Sequence, residues 1–315
     1  MKYAIGIDLG GTNIKGGLID SEGTVLAQGE VPTFAKEGPD AVMGRMAKLA
    51  GEMQAKSTGK VEGIGVGSPG PLHPTEGFIY TTPNMPGWEN YSIKKKLEAL
   101  TGLKVMVEND ANVAALAEGW KGAGKGARCS ILLTLGTGIG GGILRDGKLV
   151  NGATMTAGEV GHVVIDYNGP KCGCGNNGCL EAFIGTAGII NRAWALLEKP
   201  GTVSILRDMA GGKKEKLTPA MISQAASKGD GVALSILRET GRLLGVGLVS
   251  LCNLFAPEVF ILGGGVAAAG DILFNAARDE VRRHAFAPAS QEVKIVPAVM
   301  GNNAGIVGAA GLLLS

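Results

Sequence analysis

IGIDLGGTNIKGGLID, residues 5–20, compresses a strand, a glycine turn and a second strand into one short stretch. The apolar run from Tyr3 to Asp8 predicts the first strand and Gly10-Gly11-Thr12 the turn. Ile14 to Ile19 predicts the second strand, and Asp20 to Gly23 a hairpin into a third. The same order returns farther along the chain. Ser130 to Leu135 reads as a strand, Gly136-Thr137-Gly138 as a turn, Gly141 to Leu144 as a strand and Arg145-Asp146-Gly147 as a polar hairpin. Two structurally related halves are therefore expected, each ending in a glycine tip. Two such tips facing across a cleft would offer backbone N–H groups to the phosphates of one nucleotide.

Between the strands the pattern switches to a helical period. Val42, Met46, Leu49 and Met53 share one helix face, after which Ile64 to Val66 reads as a buried strand. Thr218-Pro219 looks like a helix start, Val232 to Phe255 a long helix, and Glu258 to Leu262 and Val293 to Val296 two more strands. Alternation of this kind is α/β. No linker or low-complexity tract interrupts it.

Three of the five cysteines and one of the three histidines crowd into GHVVIDYNGPKCGCGNNGCLE, residues 161–181. His162, Cys172, Cys174 and Cys179 make a Cys3His set suited to tetrahedral Zn²⁺. Four protein ligands leave no open position, so such a site is structural rather than catalytic. Glycines at 173, 175 and 178 let a short loop fold back on an ion. Cys129 and Cys252 sit in apolar surroundings and read as small buried hydrophobes, so no disulfide framework is expected.

A net charge of +2 on 315 residues gives no basic footprint for nucleic acid, which favours a small-molecule partner. No leader or membrane-length apolar run is evident, the C-terminal GIVGAAGLLLS being too short, so a soluble cytoplasmic protein is expected. Two glycine motifs mislead. Gly119 to Lys125 matches a P-loop until Gly126 stands where a Mg²⁺-binding hydroxyl is required, and it follows a helix rather than a strand. Gly136 to Gly141 fits G-x-G-x-x-G, but a strand and hairpin follow instead of a helix.

Asp110, in VENDAN, falls where a predicted strand ends and a helix begins. Phosphoryl transfer needs an acceptor hydroxyl held in line and a group to take its proton, and a carboxylate there can serve as that base. Capping of a helix starting at Ala111 is the structural alternative.

Taken together, IGIDLGGTNIKGGLID, LTLGTGIGGGIL and ILGGGVA resemble the actin-like ATPase fold of sugar kinases. With ENDANVAALAEGW and the cysteine cluster added, nearly the whole chain resembles the ROK family, nearest its kinases of glucokinase type. The resemblance implies two related α/β domains flanking a cleft, a small N-terminal one of residues 1–109 plus 303–315 and a large one of residues 110–302. The large domain would carry the zinc loop and a homodimer surface. It implies ATP-dependent phosphorylation of the 6-hydroxyl of glucose, with Asp110 as catalytic base. The hexose would be held by Asn84, Asn109, Glu159, His162 and Glu181, with Ser68 and Gly70 lining the pocket. Asp8 would face Mg²⁺ and its waters. Gly10, Gly11, Thr12, Thr137 and Gly138 would cradle the phosphates of ATP, and Gly263, Gly264 and Gly265 would admit adenosine. A zinc-bound imidazole at His162 keeps its second ring nitrogen for a sugar hydroxyl.

The same mechanism admits mannose, fructose or an N-acetylhexosamine as acceptor and polyphosphate as donor. A sugar-sensing repressor is the rival of another class. With the first strand starting at Tyr3 and no basic face, it is not expected. A silent sugar-binding module would show a damaged Asp110 or Asp8 loop, and both are intact. His73 and His284 are expected to be surface residues without ligand roles.

Overall fold

The computed structural model describes residues 2–81, 85 and 87–315. The chain opens with strands β1 (Tyr3–Leu9), β2 (Asn13–Asp20) and β3 (Val25–Pro32), then helix α1 (Pro39–Gln54) and β4 (Val61–Ser68). Three short strands, β5 (Leu72–His73), β6 (Phe78–Ile79) and β7 (Tyr91–Ser92), precede α2 (Ile93–Thr101), β8 (Val105–Asn109) and α3 (Asp110–Lys121). Next come β9 (Cys129–Leu135), β10 (Ile139–Arg145), β11 (Lys148–Leu149), α4 (Leu180–Ile184) and α5 (Thr186–Leu197). The chain continues with α6 (Leu206–Met209), α7 (Pro219–Ser227), α8 (Gly231–Phe255), β12 (Val259–Gly263) and α9 (Asp271–His284). It closes with α10 (Ala289–Glu292), β13 (Lys294–Pro297) and α11 (Ala304–Leu314). The expected strands and helices are present, their ends shifted by up to three residues, as where Ile64 to Val66 is the middle of β4.

Contacts divide the chain into two compact units, one of residues 1–128, 142–158 and 298–315, the other of 129–141 and 159–297. The first is built on a sheet of order β3-β2-β1-β4-β8. β1 pairs antiparallel with β2 and parallel with β4, and β4 pairs parallel with β8. Both faces of this sheet are covered, which is why β1 reads as a continuous apolar run. Ile5 and Ile7 join the core that contains Val42, Met46, Leu49 and Met53 of α1. Ala4 belongs to the cluster that holds Ile306, Val307 and Ala310 of α11.

The docking of α11 depends on missing side chains. A Cβ on Gly6 would lie 1.8 Å from the Ile306 carbonyl oxygen, and one on Gly65 would lie 1.7 Å from that of Ala309. Gly308 of α11 stands in the same relation to Val113 of α3, at 1.7 Å. Helix backbone thus rests directly on strand and helix backbone. Glu118, 1% exposed on α3, ties down the segment leading to α11 by accepting from the Val299, Met300 and Ala123 N–H groups.

In the second unit β12 runs parallel between β9 and β13. Thr218 caps α7 by accepting from the Met221 N–H, with Pro219 at the first helical position. Asp230 caps α8 in the same way through Ala233. Helix α8 buries Ile236, Leu237, Leu244, Leu248 and Leu251, and its Gly241 admits the Leu273 carbonyl of α9 to 2.3 Å from a would-be Cβ. Among the described residues no helix is long and apolar enough to cross a membrane.

Candidate active site

In the first unit the parallel strands β1, β4 and β8 end together. Asp8 is in register with Gly67, and Ser68 with Asn109, so Asp8, Ser68, Asn109 and Asp110 gather at one sheet edge. Carboxyl ends of parallel strands are where open α/β sheets take their ligands. Gly67 lets the first turn of α3 come close, because a Cβ there would meet Val113 at 2.6 Å. Ser68 is buried, while Gly70 follows with φ +92°.

The capping of α3 falls to Asn109 rather than Asp110. Asn109 Oδ1 accepts from the Ala111 N–H at 2.9 Å and the Asn112 N–H at 3.3 Å. Asp110 is itself the first helical residue, exposed, with Oδ1 also accepting from the Ala111 N–H at 2.8 Å. One residue earlier, Glu108 is buried and accepts from Asn112 and Asn151 side chains.

Asp8 is held above the ordinary carboxylate range, chiefly by burial. Lys15, its partner across the β1–β2 pair, opposes that rise. Gly305 of α11 abuts it so closely that a Cβ would lie 2.5 Å from Oδ2. The Gly10-Gly11-Thr12 turn is closed by the Gly10 N–H donating to the Asn13 carbonyl at 3.0 Å. Thr33 pins it from β3's end, its N–H donating to the Thr12 carbonyl at 2.8 Å and its hydroxyl to the Gly10 carbonyl at 2.7 Å. Gly11 and Thr12 remain exposed, as backbone that meets a phosphate must.

The second unit carries the matching turn. The Gly136 N–H donates to the Gly138 carbonyl at 2.9 Å, and the Thr186 N–H and hydroxyl both donate to the Gly136 carbonyl at 3.0 Å. Each glycine turn is thus fastened by a threonine from elsewhere in its own unit. Thr137 is exposed at the tip. β12 is in register with β9 from Ser130 to Thr134, which brings Gly263, Gly264 and Gly265 beside the turn. Gly264, at φ +85°, passes so near Leu135 that a Cβ would lie 2.3 Å from its carbonyl oxygen.

His162, Cys172, Cys174 and Cys179 converge, with one donor atom of each within 4.8 Å of the others. The Cys172 Sγ is 3.7 Å from His162 Nδ1, and the Cys174 and Cys179 sulfurs are 3.7 Å apart. His162 Nε2 turns the other way, 4.0 Å from Glu159. Gly178 makes the fold-back possible, at φ +72° with the Asp166 carbonyl 1.6 Å from a would-be Cβ. Burial pushes the Cys179 thiol up to about 12 and raises that of Cys172, while the Asn176 N–H lowers Cys174. Three thiols held this close, those of Cys172 and Cys179 buried, suit a cation that stabilises their thiolates, so the donor set fits Zn²⁺.

Glu181 links two of these features. Its Oε2 accepts from the Ile139 N–H at 2.9 Å, just after the glycine turn, and its Oε1 lies 3.6 Å from Cys172 Sγ. Gly138 leaves room for that carboxylate, which would be 2.5 Å from a Cβ. Asn84 lies outside the described residues. His284 faces Glu280 at 3.8 Å on the surface of α9, and the His73 Nδ1 is buried without a partner. Glu108, Thr33 and Thr186 were not among the expected site residues. Only Glu108 had a signal, a carboxylate directly before Asn-Asp at a strand end.

A profile of the ROK family matches residues 4–315. The glucokinase of Halalkalibacterium halodurans is 36% identical over 318 residues, which cover 99% of this chain and 95% of that protein. A crystal structure of a ROK family glucokinase from Streptomyces griseus in complex with glucose and AMPPNP matches with a TM-score of 0.80 at 34% identity, covering 99% of each chain. The xylose repressor of Bacillus subtilis (strain 168) is 29% identical over 318 residues, covering 99% of this chain and 77% of the repressor. The fold is accordingly the actin-like ATPase fold. With that profile across nearly the whole chain and a relative 36% identical over nearly its full length, the chain belongs to the ROK family.

Proposed function

We propose that the chain is an ATP-dependent hexose kinase of glucokinase type, transferring the γ-phosphoryl group of ATP to the 6-hydroxyl of glucose. The observation that carries this reading is Asp110, exposed at the head of α3 while Asn109 does the capping, which leaves a carboxylate at the ligand-binding edge of a parallel sheet. The glucokinase relatives and the glucose and AMPPNP complex of the Streptomyces griseus protein support the same substrates.

In this reading Asp110 accepts the proton of the hexose 6-hydroxyl as its oxygen bonds to the γ-phosphorus. The bond from that phosphorus to the β,γ-bridging oxygen breaks, and ADP leaves. Asn109, Glu159, His162 and Glu181 orient the sugar, with Asn84, Ser68 and Gly70 completing the pocket. Backbone N–H groups of Gly10, Gly11, Thr12, Thr137 and Gly138 bind phosphate oxygens, and Gly263 to Gly265 leave space for adenosine. Mg²⁺, when bound near Asp8, neutralises charge on the phosphates. His162, Cys172, Cys174 and Cys179 would hold Zn²⁺, which supplies order to the loop and no step of the reaction. Division into lobes of residues 1–109 plus 303–315 and 110–302, closure of those lobes to exclude water, a homodimer and a cytoplasmic location belong to the same proposal.

The test is turnover of glucose, mannose, fructose, N-acetylglucosamine and N-acetylmannosamine with Mg²⁺-ATP and with polyphosphate. Preferred phosphorylation of glucose from ATP is expected. Preference for an acetamido sugar keeps the mechanism and changes the substrate, whereas binding of a sugar without any turnover favours the sugar-sensing role of the repressor relatives. Metal analysis before and after chelation is expected to show about one zinc per chain and a lower melting temperature once it is removed.

A further inference from the structure

We propose that Glu108 is a positioning residue which locks the Asn151 loop to the strand end bearing Asn109 and Asp110, and thereby sets the affinity and turnover of the hexose. This rests on the kinase reading above. Glu108 is 3% exposed, yet among the described residues it forms no ion pair with a lysine or arginine. A buried carboxylate without a cation is costly unless donors surround it. Here three do. Oε1 accepts from the Asn109 N–H at 2.8 Å and from Asn112 Nδ2 at 3.0 Å, and Oε2 accepts from Asn151 Nδ2 at 3.1 Å.

Each donor belongs to a different part of the putting-in-place of the site. The Asn109 N–H fixes the peptide at the end of β8. Asn112, 5% exposed, lies on the first turn of α3, whose opening residue is Asp110. Asn151 begins the loop that runs through Gly158 to Glu159, and the Ala157 N–H closes that loop back onto the Asn151 carbonyl at 3.1 Å. The Asn151 side chain is so committed to Glu108 that its Oδ1 is buried with no partner. An apolar residue at 108 would fill the same volume with no cost of burying charge. The carboxylate therefore marks a site where direction matters more than stability, since a displacement of about 1 Å near the chemistry can cost ~100-fold in rate.

The acceptor and donor pattern supplies the experiment. Asn151→Asp sets a second carboxylate against Glu108 Oε2 at a hydrogen-bonding distance. Adding Glu108→Gln restores complementarity: the new amide nitrogen donates to the new carboxylate, while the amide oxygen still accepts from Asn109 and Asn112. Glucose dissociation constants by calorimetry, kcat, KM for glucose and for ATP, and melting temperatures are measured for wild type, both single variants and the double variant. Asn151→Asp is expected to weaken glucose binding and kcat/KM for glucose by at least ~10-fold with KM for ATP within about twofold, and the double variant to recover to within about threefold of wild type. A double variant no better than Asn151→Asp overturns the proposal. So does a fall in melting temperature with glucose binding and turnover unchanged. If the wild type binds glucose without turning it over, only the kinase reading fails, and the dissociation constants still decide the role of Glu108. If the wild type binds no hexose, both fail together.

Discussion

Replacing Glu118 should destabilise the first unit in a graded way that follows its hydrogen bonds. Its Oε1 accepts from Val299 and Met300 and its Oε2 from Ala123, all at 2.8 Å, and the side chain is 1% exposed. Glu118→Gln keeps an oxygen for the first two donors. It turns the third contact into two facing N–H groups and removes charge from the others, a loss of about 2–4 kcal/mol. Glu118→Ala removes the acceptor from all three part-buried donors, for about 4–5 kcal/mol. For 315 residues, an unfolding entropy of ~2.1 cal/mol/K per residue converts 1 kcal/mol into about 1.5 °C of melting temperature. Falls of about 3–6 °C for Gln and 6–8 °C for Ala are therefore expected in a thermal melt without ligands. Melting temperatures within about 1 °C of wild type for both variants, or a Gln variant more damaged than the Ala variant, would refute the view that this carboxylate anchors the return of the chain to α11.

Gly305→Ala should raise helix propensity by about 1 kcal/mol and yet impair nucleotide-dependent turnover. Its Cβ would lie 2.5 Å from Asp8 Oδ2, so KM for ATP is expected to rise at least ~10-fold, and an unchanged value contradicts the placement of Asp8. Asp8 itself binds its proton more tightly folded than unfolded, because burial raises it above the ordinary 3.8 against the pull of Lys15. The folded state accordingly loses stability as pH rises from that value through the raised one. Without ligands, Asp8→Asn should therefore melt higher than wild type at pH 7.5 and converge with it near pH 4. A wild type that is the more stable at pH 7.5 would reverse that sign. Thr33→Val and Thr186→Val each remove a hydroxyl from a glycine-turn carbonyl, and each should raise KM for ATP about 3- to 10-fold while shifting stability by only about 1 kcal/mol. Equal loss of glucose and ATP affinity would count against a local effect on the turns.

The strand hairpins were legible because their signals are local: apolar runs and glycine turns lie within a few residues of one another, as at Tyr3–Asp20. Helices α7 and α8 were legible for the same reason, each having a side-chain cap and a continuous buried face. The convergence of His162, Cys172, Cys174 and Cys179 was legible from residue type and spacing alone. Docking of α11 was not, since GIVGAAGLLLS announces only an apolar helix. Its partners Gly6 and Gly65 show their purpose only when the backbones meet. The fastening residues were hidden by sequence distance: Thr33 reaches Gly10 across 23 positions, Asn151 reaches Glu108 across 43, and Val299 reaches Glu118 across 181. At the candidate base the sequence left open whether Asp110 caps a helix starting at Ala111. Backbone geometry gives the cap to Asn109 and the first helical position to Asp110.

The most direct test of the central claim is the Asp110→Asn variant, with single-turnover phosphoryl transfer and glucose affinity measured on the same preparation. Asparagine keeps the size and hydrogen-bonding reach of the side chain but cannot take the proton. The account predicts a fall in the transfer rate of about 10²–10⁴-fold with the glucose dissociation constant and melting temperature close to wild type. A variant that transfers phosphate within about tenfold of wild type would contradict the assignment of Asp110 as base.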